Sequence, residues 1–141
     1  MRVVIADDSS LTLDWLAEML GNYAQVELIG KCKNGTDTLA ILQTSKPDLA
    51  IVDFKMPGLN GIEVLREIRK TDTSLKFILL TFYASDNYRQ MAIEAGADYF
   101  FSKVDDFEKL SKLLAELVAN NENDHTDHPD DPPIFSDYDS G

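Results

Sequence analysis

Three short apolar runs punctuate the chain: Val3-Val4-Ile5-Ala6, closed by Asp7-Asp8; Leu49-Ala50-Ile51-Val52, closed by Asp53; and Phe77-Ile78-Leu79-Leu80, closed by Thr81. Each is bounded and shows no polar/apolar alternation. Each therefore predicts a strand covered on both faces, the condition of parallel strands held between layers of helices. Val26-Glu27-Leu28-Ile29-Gly30 is less uniformly apolar, as suits a strand nearer an edge, and Asp98-Tyr99-Phe100-Phe101-Ser102 supplies a fifth.

Between the strands the apolar spacing changes to three and four. Leu11, Trp15 and Met19, with Leu13, Leu16 and Leu20, predict a helix behind Ser9/Ser10, which suit an N-cap, and Gly21 stops it. Trp15 and this Leu/Met stripe are expected in the core. Further helices are expected near 36–45, 61–70, 86–95 and 106–119, the last opened by Asp105 with Glu108 at capping-box spacing. Parallel neighbours need crossovers of a dozen or more residues, so five strands alternating with five helices predict one open parallel α/β sheet with helices on both faces. No internal repeat is present.

Length and charge refine this reading. A chain of 141 residues has room for one domain. Residues 1–120 are read as that domain. Residues 121–141 are read as a disordered acidic tail, too polar and proline-rich to bury a core, although Ile134, Phe135 and Tyr138 interrupt its polarity. The chain carries 25 acidic and 13 basic residues, a net charge of −12, and the stretch 122–141 contributes seven acids and no base. Such a chain repels phosphate backbones, so direct nucleic-acid binding is not expected. No run approaches the roughly 18–20 apolar residues of a membrane span, and Asp7-Asp8 interrupt the opening run before a signal peptide forms. A cytoplasmic protein without membrane insertion is expected. The single cysteine, Cys32, has no partner for a disulfide or zinc site and reads as a small packing residue. His125 and His128, beside Asp124 and Asp127, have a spacing that suits a metal but lack further imidazoles or thiols.

The crevice of an open α/β sheet lies beyond the carboxyl ends of its strands. There this sequence places Asp7, Asp8, Asp53, Thr81 and Lys103. Neighbouring carboxylates repel by about 4 kcal/mol at 4 Å and an effective dielectric near 20. A small hard dication such as Mg²⁺ relieves that repulsion and binds through carboxylates, water and phosphate oxygens. With Lys103 as a second positive charge the site accepts a phosphoryl group, and Asp53 is the nucleophile that forms an acyl phosphate.

Asp7-Asp8, Asp53 followed by Met56-Pro57-Gly58 and Gly61, then Thr81, then Gly96-Ala97-Asp98 leading to Lys103, resembles the receiver domain of bacterial two-component response regulators across about residues 1–120. The resemblance implies a flavodoxin-like (βα)5 fold with strand order 2-1-3-4-5. It also implies Mg²⁺ (or Mn²⁺) held by Asp8, Asp53 and the Lys55 backbone carbonyl, with Asp7 acting through water. Asp53 is then the phosphoacceptor, served by a sensor histidine kinase or histidine phosphotransfer protein, and Lys103 and Thr81 contact the phosphoryl oxygens. Phe100 fills the space Thr81 vacates, which alters the helix 4/strand 5/helix 5 face read by a downstream protein target.

Three positions depart from the family pattern. Phe82 stands where the family has a small residue, and Val104 where many relatives have proline. Phe100 lacks the hydroxyl of the commoner tyrosine. Lys55 and Tyr83, with Phe82, occupy positions that modulate the rate of dephosphorylation, and slow phosphoryl loss is expected. The leading reading is a stand-alone receiver with no catalytic activity beyond self-phosphorylation and autodephosphorylation. A non-phosphorylated, receiver-like adaptor and an aspartate-dependent phosphohydrolase are the alternatives. The hydrolase needs a general acid–base and substrate pocket that the sequence does not offer.

Overall fold

In the computed structural model, which describes residues 1–122, the strands are β1 (Arg2–Ala6), β2 (Glu27–Cys32), β3 (Leu49–Asp53), β4 (Lys76–Thr81) and β5 (Tyr99–Ser102). They alternate with helices α1 (Ser10–Leu20), α2 (Gly35–Ser45), α3 (Gly61–Arg69), α4 (Asp86–Ala95) and α5 (Phe107–Glu122). All strand pairs are parallel, in the order β2-β1-β3-β4-β5. This is the expected flavodoxin-like topology, with β2 at one edge.

Successive residues of the inner strands serve opposite faces. Val3, Ile5, Ile51, Ile78 and Leu80 pack with α1 and α5, including Leu16 and Leu113. Val4, Ala50, Val52, Phe77 and Leu79 pack on the other side with Leu42, Leu65 and Ala92 of α2, α3 and α4. Both faces are covered, which explains why these strands are uniformly apolar. Among the described residues no helix is long and apolar enough to cross a membrane.

Three local expectations need correction. Leu11, in the first turn of α1, is 82% exposed, although Leu13, Leu16, Met19 and Leu20 are buried and half-buried Trp15 lies against Phe107 at 4.8 Å. The start of α5 is not a capping box on Asp105. Instead the Ser102 hydroxyl accepts from the Val104 and Asp105 N–H groups (both 3.1 Å), the Asp106 carboxylate accepts from Ser102 N–H (2.7 Å), and the helix begins at Phe107. A capping box does form at α3, where Asn60 and Glu63 satisfy each other's backbone N–H. Finally, α5 extends through Asn121 and Glu122, beyond the expected boundary at 120. The rest of the tail, with His125, His128, Ile134, Phe135 and Tyr138, lies outside the described residues.

Candidate functional site

The strand register gathers the site. Ala6 pairs with Val52, so the next residues along, Asp7 and Asp53, emerge side by side; Asp53 pairs with Leu80, one residue before Thr81; and Thr81 pairs with Ser102, one residue before Lys103. Each carrier is then held by one more bond past its strand: Asp7 N–H donates to Cys32 O (3.0 Å), Phe54 N–H to Leu80 O (2.8 Å) and Lys103 N–H to Thr81 O (2.8 Å). Because β1 and β3 send their following helices to opposite faces, their ends leave a crevice between them.

Two glycines shape the loop after Asp53. Gly58 has φ +76°, which a side chain rarely tolerates, and it completes the Met56-Pro57-Gly58 turn. At Gly61 a Cβ atom would lie 2.4 Å from the Asp53 carbonyl oxygen, so only glycine lets α3 start this close to the end of β3.

The side chains converge as the sequence predicts. Carboxylate oxygens of Asp7, Asp8 and Asp53 all lie within 4.8 Å of one another; Asp7 and Asp53 are buried and Asp8 is exposed. The Lys103 ammonium bridges the buried pair, at 2.5 Å from Asp7 Oδ2 and 3.2 Å from Asp53 Oδ1. Asp7 Oδ1 also accepts from Ser9 N–H at 2.9 Å. One ammonium against three carboxylates leaves the cluster anionic. Burial, then the charge of Asp7, push the Asp53 carboxyl up to about 6, against the pull of Lys103 and the Lys55 backbone N–H.

This donor set fits a small hard dication. It offers three oxygen ligands within reach of one point, two of them in a dry pocket with an uncompensated negative charge, and one open to solvent. Asp7, Asp8 and Asp53 are the side chains placed to hold such an ion.

Around this centre the structure adds contacts that spacing does not encode. The Phe82 ring, 58% exposed, lies 4.7 Å from Lys103 Nζ, and Tyr83, 62% exposed, lies 4.7 Å from Lys55 Nζ, so an aromatic pair stands over the two lysines. Thr81 is buried, and its hydroxyl accepts from Tyr83 N–H at 3.0 Å. Phe100 is buried on the α4 side of the sheet, with the Arg89 guanidinium 5.1 Å from its ring. Phe54, next to Asp53, packs on Tyr88 of α4 at 4.6 Å. Ser102 and Asp106 fix the loop that aims Lys103. Only a serine at a strand end followed four residues later by aspartate signalled that role. Cys32 is half-buried and burial raises its thiol pKa, in keeping with a packing residue.

Residues 3–115 match the response regulator receiver domain family. The chain is 32% identical over 118 residues to the transcriptional regulatory protein DesR of Bacillus subtilis, covering 84% of this chain and 58% of that protein. It spans little more than half the length of such curated relatives. The isolated REC domain of RcsB from Salmonella enterica serovar Typhimurium, solved with the phosphomimetic BeF3⁻, superposes with a TM-score of 0.76 at 26% identity, covering 83% of this chain and 87% of that one. A CheY-like receiver domain from Methanospirillum hungatei gives 0.74 at 27% identity, over 87% of this chain and 97% of that one.

Proposed function

The chain belongs to the receiver family of response regulators, whose members act in phosphorylation-dependent signalling, and we propose that its phosphoacceptor is Asp53. The observation that carries this reading is the buried Asp7–Lys103–Asp53 bridge beside exposed Asp8. In the transfer, an Asp53 oxygen attacks phosphorus, the O–P bond forms as the N–P bond of a phosphohistidine breaks, and the imidazole keeps the electron pair. Mg²⁺ (or Mn²⁺) would be held by Asp8, Asp53 and the Lys55 carbonyl, with Asp7 acting through water, and would supply Lewis-acid charge to the phosphoryl oxygens. Lys103 leaves its bridge to meet one of those oxygens, and Thr81 turns from Tyr83 N–H to meet another.

Phosphorylation then biases a two-state surface. Helix α4 buries one side chain, Ala92, and is joined to the site through Tyr88 on Phe54 and Arg89 on Phe100. Relocating Thr81 and Phe100 changes how α4, β5 and α5 present Met91 and Ile93, which are 36% and 52% exposed, to a downstream protein. The phosphodonor is a sensor histidine kinase or histidine phosphotransfer protein in the cytoplasm. Exposed Leu11, Val104 and Phe107, on the α1 and β5–α5 side of the same edge, offer it an apolar rim. The partners are proteins and not nucleic acid, given the charge of −12. The switch is carried by the residues up to the end of α5 at Glu122.

Mass spectrometry after incubation with acetyl phosphate and Mg²⁺ tests this reading. A single phosphoryl adduct is expected, absent in Asp53→Asn; an adduct that survives that substitution overturns the assignment. The Phe82 ring over Lys103 favours a second reading, a constitutive adaptor whose lysine stays covered. Beryllofluoride binding with Mg²⁺ in the wild type but not in Asp53→Ala excludes the adaptor.

A further inference from the structure

At the amino edge of the sheet, away from the carboxylates, a groove of about 930 Å³ is floored by Leu42, Leu49, Ile68 and Leu117 and flanked by Lys46 and Lys76. Its two acids are already committed. The Asp48 carboxylate accepts from Arg2 N–H (2.8 Å), and Asp72 accepts from the Ser74 N–H and hydroxyl (both 2.9 Å) and from Leu75 N–H (3.1 Å). Lys46 and Lys76 form no ion pair among the described residues. The groove therefore joins an apolar floor to two uncommitted cations.

The chain itself leads into it. Asn120 and Asn121, at the end of α5, line the groove, and residues 123–141 follow directly. That stretch carries no base. Its apolar residues, Ile134, Phe135 and Tyr138, stand among Asp130, Asp131, Asp137 and Asp139. We propose that the segment Ile134–Tyr138 docks in this groove of its own domain, with Ile134 and Phe135 on the floor and the flanking aspartates on Lys46 and Lys76. A linker of about a dozen residues holds a tethered segment at an effective concentration on the order of millimolar, so a weak contact suffices. Docking keeps the tail's negative charge at the edge opposite Asp53, clear of the site an anionic phosphodonor must enter.

Amide ¹H–¹⁵N spectra of the full chain test the proposal against the double variant Ile134→Asp/Phe135→Asp. Shifts confined to the groove, at Lys46, Leu49, Lys76, Leu117 and Asn121, are expected. The same set should move on adding salt and in Lys46→Glu/Lys76→Glu, because part of the contact is ionic. Coincident groove signals in the wild type and the tail variant overturn the proposal. So do shifts that fall on Tyr83–Ile93 instead, which place the tail on the α4 face, or shifts that appear only as protein concentration rises, which make the groove a site for a second copy.

Discussion

The two edges of the sheet treat their carboxylates in opposite ways. At the amino edge Asp48 and Asp72 each accept backbone N–H groups, of Arg2 for one and of Ser74 and Leu75 for the other, and so act as caps that hold strand to loop. At the carboxyl edge Asp7 and Asp53 are buried against each other, sharing one ammonium, with Asp8 close by. The first arrangement satisfies each charge locally and stabilises the fold. The second concentrates like charge that a cation or a proton relieves, so the cluster costs stability until it binds one.

Removing Lys103 should break this contrast most severely. Lys103→Met leaves two buried carboxylates without their partner, and loss of one member of a buried pair costs about 3–5 kcal/mol. Urea unfolding at pH 8 should report a loss of that order, partly recovered at pH 5 where Asp53 takes up a proton. A loss independent of pH would mean that Lys103 acts through packing alone.

Next in size is a pair of substitutions with opposite signs. The folded chain holds the Asp53 proton up to about pH 6, whereas the unfolded chain releases it near its ordinary value of 3.8. The native state therefore binds more protons between these limits. Stability from this group is full below about pH 4 and falls as pH rises to about 6, by roughly 2–3 kcal/mol without metal. Asp53→Asn should stabilise the metal-free chain at pH 7–8 by about 1–3 kcal/mol and flatten that part of the pH profile. Asp48→Asn, which weakens a satisfied cap, should destabilise it by about 1 kcal/mol. Unfolding curves that move in the same direction for both would erase the distinction between the edges.

How much of this was legible in the sequence follows from the same physics. Strands buried on both faces must be apolar throughout, so β1, β3 and β4 stand out, and parallel strands end at one edge, which brings Asp7, Asp53, Thr81 and Lys103 together. At the start of α5 the spacing of Asp105 and Glu108 loses to equally local bonds among Ser102, Val104, Asp105 and Asp106. Phe82 over Lys103 and Tyr83 over Lys55 join loops distant in sequence, and no periodicity encodes such a contact. Leu11 fits the helical stripe of α1 but is 82% exposed, because spacing alone does not say which turns of a helix are covered.

The aromatic pair sharpens the reactive edge in a smaller, kinetic way. Phe82→Ala uncovers Lys103 and opens the site to phosphodonor and water. Phosphoryl loss, followed by radiolabel, should become several-fold faster, a change below about 1.4 kcal/mol in barrier. In the wild type Lys55, Phe82 and Tyr83 should keep that loss slow, and a half-life of seconds would contradict the shielding role.

The smallest effect on stability should come from Leu11. Leu16, fully buried in the same helix, contributes to the core, whereas Leu11 exposes most of its side chain beside the carboxylate edge. Leu11→Ser should leave stability within about 0.5 kcal/mol, as for surface positions generally. Transfer from a phosphohistidine protein should nonetheless slow, while labelling by acetyl phosphate, a donor too small to reach the rim, should not change. Equal slowing with both donors would place the effect in the chemistry of Asp53. A slowing with the protein donor alone identifies Leu11 as part of the surface that the phosphohistidine protein grips.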